Sequence, residues 1–292
     1  MECRKNIAEM VRSTSVDYDR EFLTMREMVN HAIRSQFDYT DWLSMMEDFQ
    51  PGIDDDFTMV SVRDLWRSSF GKFPTDFRGT CRKIEDYDGR YGFDFEKPGR
   101  GPTSKNDLLN YCEYVMTLTL QLKNYWMTRM GVIPDRIREH VDLVLDKLGH
   151  VGHMNGYYFV TLPKDERVDE VAEALPATLG ERIRLYRHRS MFGRTDEKRM
   201  TLADLARHLE SSRSELKKSC PSYESCFFGG VNNLNIRHNN TAPGPKFNDK
   251  ISTLDVVDLE QAYDALFDVG VRLVDFLKMK PTIDKVNALF RV

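Results

Sequence analysis

Long apolar runs are missing from this chain of 292 residues. No stretch approaches the roughly 20 apolar residues that a bilayer-crossing helix needs, which excludes a reading as a membrane-spanning protein. The opening Met1-Glu2-Cys3-Arg4-Lys5 carries none of the apolar character of a signal peptide. Cysteine is scarce, and its five residues (Cys3, Cys81, Cys112, Cys220, Cys226) form no CxxC pair. An odd, scattered set argues against a disulfide framework and for a reducing compartment, so the expected location is cytoplasmic. Also missing are a GxxxxGK[ST] phosphate loop, a GxGxxG turn after a strand and a Gly-x-Ser-x-Gly elbow, which removes support for nucleotide hydrolysis, dinucleotide redox chemistry and serine hydrolysis. His150 and His153 stand three apart on an expected strand, which points them to opposite faces, and no Cys or carboxylate cluster joins them. Neither a metal nor a cofactor is expected. The net charge of -4 excludes a surface that is basic all over and leaves room for local basic patches.

What is present is an apolar content of 41%, enough to build a substantial core. Phe22, Met25, Val29, Ile33, Phe37 and Trp42 recur at helical spacing, predicting a long amphipathic helix over 16–50 broken near Asp38. Pro51-Gly52 ends it, and one short helix at 60–69 precedes irregular structure to about residue 100. Ser104 and Asp107 form a capping-box pattern ahead of the most apolar helical stretch, 105–130. Pro134 opens the next helix and Gly149 stops it. Asn155-Gly156 between apolar arms predicts a type I′ hairpin over about 150–162. Further helices are expected over 168–175, 178–192 (capped by Thr178 and Glu181), 195–218 and from about 254 to Pro281, with Ser252 and Asp255 as caps. The fold class is therefore mainly α, a helical bundle with one short hairpin. A helical or irregular subdomain is expected over 1–100 and the bundle over 101–292, built on helices at 105–130, 195–240 and 254–279.

The most distinctive stretch is Gly229 to Thr241. It holds Asn232, Asn233, Asn235, Asn239 and Asn240 with Arg237 and His238, just before Ala242-Pro243-Gly244-Pro245. On a continuing helix, Asn233 and Arg237 share a face opposite Phe227, Val231 and Leu234, offering an arginine and amides to a phosphate or a partner chain. The same residues also fit a helix end, where positive charge suits the macrodipole and Asn239 or Asn240 provides a left-handed cap.

A second concentration of positive charge covers 182–199. Arg182, Arg187, His188 and Arg189 lie there, with Tyr186 placed by the sequence to stack on a base. Taken together, Asp107 to Tyr114, Leu185 to Ser190 with Gly193 and Lys198, and Asn232 to Asn240 resemble bacterial helical proteins of the HEPN type associated with abortive infection. The resemblance covers about residues 105–280. It implies an all-α bundle, a homodimer, and in many members RNA binding with metal-independent RNA cleavage at the dimer interface, in antiviral defence or as a toxin.

Those nucleases carry an Arg followed four to six residues later by His. Arg237-His238 lacks a His at that distance downstream, whereas Arg182–His188 and Arg26–His31 have the spacing. With seven histidines in the chain, about two such spacings arise by chance, so the motif carries little weight unaided. The chemistry needs a base for the 2′-hydroxyl proton and a cation for the phosphorane, for which His188 or His238 and Arg182 or Arg237 are the candidates. A non-catalytic helical interaction or dimerisation module is the alternative.

Overall fold

The computed structural model describes residues 16–30, 33–34, 59–93, 104–125, 133–238, 240–242 and 244–290. Helices dominate, and the strands among the described residues form two antiparallel pairs. The chain divides into two compact units, Met1–Thr161 and Leu162–Val292. Each has its own hydrophobic core. The boundary therefore falls at the hairpin and not near residue 100, and the 105–130 and 195–240 stretches belong to different units instead of one bundle.

In unit 1, helix α1 (Tyr18–Asn30) buries Phe22, Met25 and Val29 at helical spacing. It is shorter than its periodicity predicts, because Ile33–Arg34 (β1) is extended and pairs with Met59–Val60 (β2). The expected continuation to Gln50, including Phe37 and Trp42, lies outside the described residues, as does His31. Three short helices follow: α2 (Val62–Ser69), α3 (Thr75–Arg78) and α4 (Ile84–Tyr91). α2 is closed at its start by a reciprocal capping box, with Ser61 Oγ accepting from Asp64 N and the Asp64 carboxylate accepting from Ser61 N, both at 3.1 Å. The stretch before residue 94 is thus more helical than its sparse periodicity suggests.

Helix α5 (Lys105–Tyr125) begins with the predicted Ser104–Asp107 box. Leu108, Tyr111, Tyr114, Val115, Leu118 and Leu122 are all buried, as befits a helix that is apolar around most of its circumference. It is the centre of unit 1. Fully burying each such apolar side chain stabilises by about 1.5–3 kcal/mol, an upper bound given a compact unfolded chain. Arg63 of α2 forms a buried group with Asp88 and Tyr114. Its Nη1 donates to Asp88 Oδ1 at 3.0 Å and to the Tyr114 hydroxyl at 2.7 Å, and its Nη2 bonds Asp88 Oδ2. Burial works to lower the Arg63 pKa, but the bonds to Asp88 and Tyr114 outweigh it and hold the guanidinium charge more firmly than usual.

Helix α6 (Ile133–Leu148) carries Pro134 in its first turn and stops at Gly149, whose φ is 69°. The hairpin β3 (His150–Asn155) and β4 (Tyr158–Pro163) follows as predicted. Its loop is Gly156-Tyr157, and only Gly156 has positive φ, 60°. That is the signature of a type II′ turn, with Gly first, and not the type I′ turn expected from Asn155-Gly156. Polar side chains of α5 clamp this arm: Thr117 Oγ1 accepts from Phe159 N at 2.9 Å, and the Glu113 carboxylate accepts from Thr161 N at 2.5 Å.

Unit 2 contains α7 (Glu166–Ala174), α8 (Ala177–Leu185), a 3₁₀ turn at Arg189–Met191, α9 (Thr195–Glu210), α10 (Arg213–Ser219), α11 (Pro221–Asn233), α12 (Asp249–Ser252) and α13 (Val256–Phe290). Its core joins Ile183 and Tyr186 to Leu202, Leu205 and Leu209 of α9, Phe227 and Val231 of α11, and Phe267, Val271 and Val274 of α13. Small residues let the helices approach. A Cβ at Gly270 would lie 2.7 Å from Leu205 and Phe227, and one at Gly230 would lie 2.6 Å from Leu266. Several expected boundaries move. α8 starts directly after Pro176, so Thr178 is inside the helix and cannot cap it. The stretch 195–240 breaks into α9, α10 and α11. Asp255 caps α13 through Asp258 N at 2.8 Å, and the helix then runs through Pro281 to Phe290. Proline removes one helical N–H, and its partner carbonyl there can be met by water because this part of α13 is exposed.

Candidate functional site

Helix α11 ends at Asn233, and Asn235 takes the left-handed conformation with φ 59°. Asn tolerates this better than other side chains because its short amide bonds locally. Among the described residues Asn235, and not Asn240, is therefore the left-handed residue of this helix end, and Asn239 lies outside them. Arg237 is no longer on the helix, so it shares no helical face with Asn233. The loop is instead tied by two asparagines bonding reciprocally. Asn235 N donates to Asn240 Oδ1 at 3.0 Å, and Asn240 N donates to Asn235 Oδ1 at 3.1 Å. Asn240, only 2% exposed, also donates from Nδ2 to Lys246 O at 2.7 Å. The Tyr263 hydroxyl of α13 donates to Leu234 O at 3.0 Å and fixes the start of the loop. Asn233 bonds back to Gly229 O at 2.8 Å, and Asn232 Oδ1 is enclosed with no hydrogen-bond partner among the described residues. Asn235 and Asn240 are thus occupied in shaping one tight loop.

That loop presents Arg237 and His238 to a cleft. Asp196 and Arg199, one turn apart at the start of α9, form its other wall, and Asn235, Ile236 and Thr241 complete a cavity of about 310 Å³. Arg199 pairs with Asp196 at 3.5 Å on the exposed side. Arg237 Nη2 donates to Glu210 Oε2 at 2.6 Å, and Glu210 also holds Arg213, whose Nε reaches the buried Glu224 at 2.7 Å. The bond from Arg237 depresses the Glu210 pKa. Arg199 and Arg237 each hold a carboxylate, Asp196 and Glu210, so an anion entering the cleft would compete with those two pairs for the guanidinium groups. Arg199 and Asp196 were missing from the sequence-based site. The signal for them was the i, i+3 spacing after a helix start at Thr195.

The 182–199 region is arranged differently. Tyr186 is fully buried, its ring stacked on Phe267 with centroids 3.9 Å apart and planes at 5°. It is not available to stack on a base, because the aromatic pair it forms is the core of unit 2. Lys198 is buried under it, with Nζ 2.7 Å from both Glu260 and Asp264 and 5.2 Å from the Tyr186 ring centre. Glu260 also accepts from Gly193 N at 3.0 Å, and although burial pushes its pKa up, Lys198 and Gly193 together hold it below the usual carboxylate value. His188, 8% exposed, caps the 3₁₀ turn: its Nδ1 accepts from Ser190 N at 3.2 Å. Arg182 bonds Asp204, and Arg187 bonds both Asp165 and Asp268. Arg189, the first residue of this turn, is half-buried. The basic residues of this region are thus largely spent on neighbouring carboxylates, and Arg182 and His188 are held by separate partners.

A second, wider groove of about 660 Å³ is lined by Lys164, Asp165, Glu166, Arg167, Glu170, Asp275 and Met279. It is mixed in charge, with Arg167 facing Asp275 at 3.6 Å and Lys278 on Glu170 at 2.6 Å. Among the described residues no helix is long and apolar enough to cross a membrane. Comparisons with protein-family models, curated proteins and solved structures gave no match to this chain.

Proposed function

We propose that unit 2 binds RNA through its phosphates at the cleft between the start of α9 and the Asn235–Thr241 loop, as a cytoplasmic HEPN-like protein of bacterial defence. The observation that carries this reading is the gathering of Arg199, Arg237 and His238 around one cavity of nucleotide-sized volume. Cleavage, in this reading, proceeds without a metal. His238 removes the proton of a 2′-hydroxyl, the 2′-oxygen bonds to phosphorus, and the P–O5′ bond breaks to leave a 2′,3′-cyclic phosphate and a 5′-oxygen that takes up a proton. In this scheme Arg199 and Arg237 exchange Asp196 and Glu210 for the phosphorane oxygens and offset their charge. An imidazole serves as base because it exchanges protons near neutral pH. His188, engaged as a cap, and Arg182, engaged by Asp204, take no part in this scheme.

The test is fluorescence anisotropy of a labelled single-stranded RNA at several salt concentrations, followed by denaturing gels. Binding should weaken with salt, and Arg199→Ala should lower the slope of that dependence by about one phosphate contact. His238→Ala should abolish cleavage while His188→Ala retains it. Absence of RNA binding at low salt would sink the reading. The alternative, an interaction module, is favoured by a separate feature, the exposed apolar end of α13.

A further inference from the structure

Along the last turns of α13, apolar side chains follow a spacing of three and four residues: Phe276, Met279, Ile283, Val286 and Phe290. This is the a/d pattern of a helix that pairs with another helix. Phe276 packs against the core of the unit, and from Met279 onward the stripe is exposed. Residues 281–290 are all exposed, with Leu289 at 76% and Phe290 at 78%. The earlier turns, to Val274, carry the core of the unit, so one helix serves as core at one end and bare seam at the other.

We propose that this seam is a self-association surface, occupied by the same segment of a second copy running antiparallel across a two-fold axis. Three observations favour that occupant. The first is register. An antiparallel pair centred between Asp284 and Lys285 sets Met279 opposite Phe290 and Ile283 opposite Val286, so these four apolar positions meet one another, as an isologous interface requires. The second is charge. In that register the Lys280 ammonium groups of the two copies are separated by roughly 13 Å along the axis, and each is already neutralised by Asp284 at 2.5 Å and Glu215 at 3.0 Å within its own chain. The third is area. Met279, Ile283, Val286, Leu289 and Phe290 are between 36% and 78% exposed, so a partner can cover at most roughly 500 Å² per copy, about 1,000 Å² for the pair, the lower edge of specific interfaces. Met279 also lines the open groove beside Arg167 and Glu170, which gives Phe290 of the second copy a concave place to lodge. The proposal rests on the α13 seam alone and stands apart from the RNA reading.

Sedimentation velocity on the full chain tests it. Between about 1 and 100 µM the protein should pass from monomer toward dimer, as expected of a short seam. Ile283→Glu with Val286→Glu should raise the dissociation constant at least about tenfold, as should Phe290→Ser alone. Far-UV circular dichroism of these variants should be unchanged, because the replaced side chains are exposed. The proposal is overturned if the unaltered chain stays monomeric throughout, including the case in which it pellets with vesicles of anionic lipid instead. It is equally overturned if both seam variants associate as tightly as the original.

Discussion

Replacing Asn240 by alanine removes the clamp of the loop that carries Arg237 and His238, and its cost can be worked out bond by bond. Two hydrogen bonds leave with the side chain: the one accepted from Asn235 N and the one donated to Lys246 O. Each contributes about 1 kcal/mol net, so roughly 2 kcal/mol is expected, rising to about 3 kcal/mol if the loop cannot relax to expose the stranded groups to water. The bonds made by the Asn240 main chain, to Asn235 Oδ1 and from Asn248 N, survive the change. Asn235→Gly isolates the other half. It keeps a residue that adopts φ 59° with ease and loses only the bond to Asn240 N, about 1 kcal/mol. Urea unfolding followed by far-UV circular dichroism should move the midpoint by roughly 1 M for Asn240→Ala. Tryptophan fluorescence serves as an internal reference, because Trp42, Trp66 and Trp126 all belong to unit 1. A loss under about 0.5 kcal/mol for Asn240→Ala, or a larger loss for Asn235→Gly, would refute the claim that reciprocal asparagine bonds hold this loop.

Arg63→Ala takes the cation from the buried Asp88 carboxylate in the core of unit 1 and should cost about 3–5 kcal/mol in the same unfolding assay, now visible by fluorescence. The double change Arg63→Met with Asp88→Leu should recover most of that loss. At Gly180 a Cβ would sit 2.3 Å from the Ala172 carbonyl oxygen, so Gly180→Ala should destabilise by about 1–3 kcal/mol, whereas Gly229→Ala meets nothing within 4 Å and should stabilise α11 by about 0.5–1 kcal/mol; thermal melts decide both. Glu260 binds its proton less readily folded than unfolded, so its contribution is complete above its ordinary value of 4.5 and is lost as pH falls through and below it. Glu260→Gln should flatten that acid limb of the stability curve.

The helical character and the hairpin were legible because periodicity, capping residues and Asn-Gly are local signals. The Ser104–Asp107 box shows this well, since both partners lie within one turn. The division at Thr161 was not legible. α5 and α9 carry equally good apolar stripes, and only long-range packing decides that they serve separate cores. At the site, the clustering of asparagines was visible, but its use depended on Asn235 taking a left-handed turn that redirected Arg237 toward Glu210. The basic block at 182–199 misled for a related reason. Counting charges does not reveal that Asp204, Asp268, Glu260 and Asp264, far away in sequence, neutralise them. The apolar seam beyond Pro281 was readable from its spacing and was hidden by treating proline as a stop.

Helix α13, finally, is a lever. At about 1.5 Å per residue its 35 residues span roughly 50 Å. Its inner arm is gripped by Tyr263, Phe267 and the buried Lys198–Glu260 pair, while its outer arm stands free. A load applied near Phe290 bends first at Pro281, where the hydrogen-bonded rail is interrupted. Whatever strain passes that point meets first the ion pairs that tie Lys280 to Glu215 of α10 and Lys278 to Glu170 of α7, ahead of the packed core.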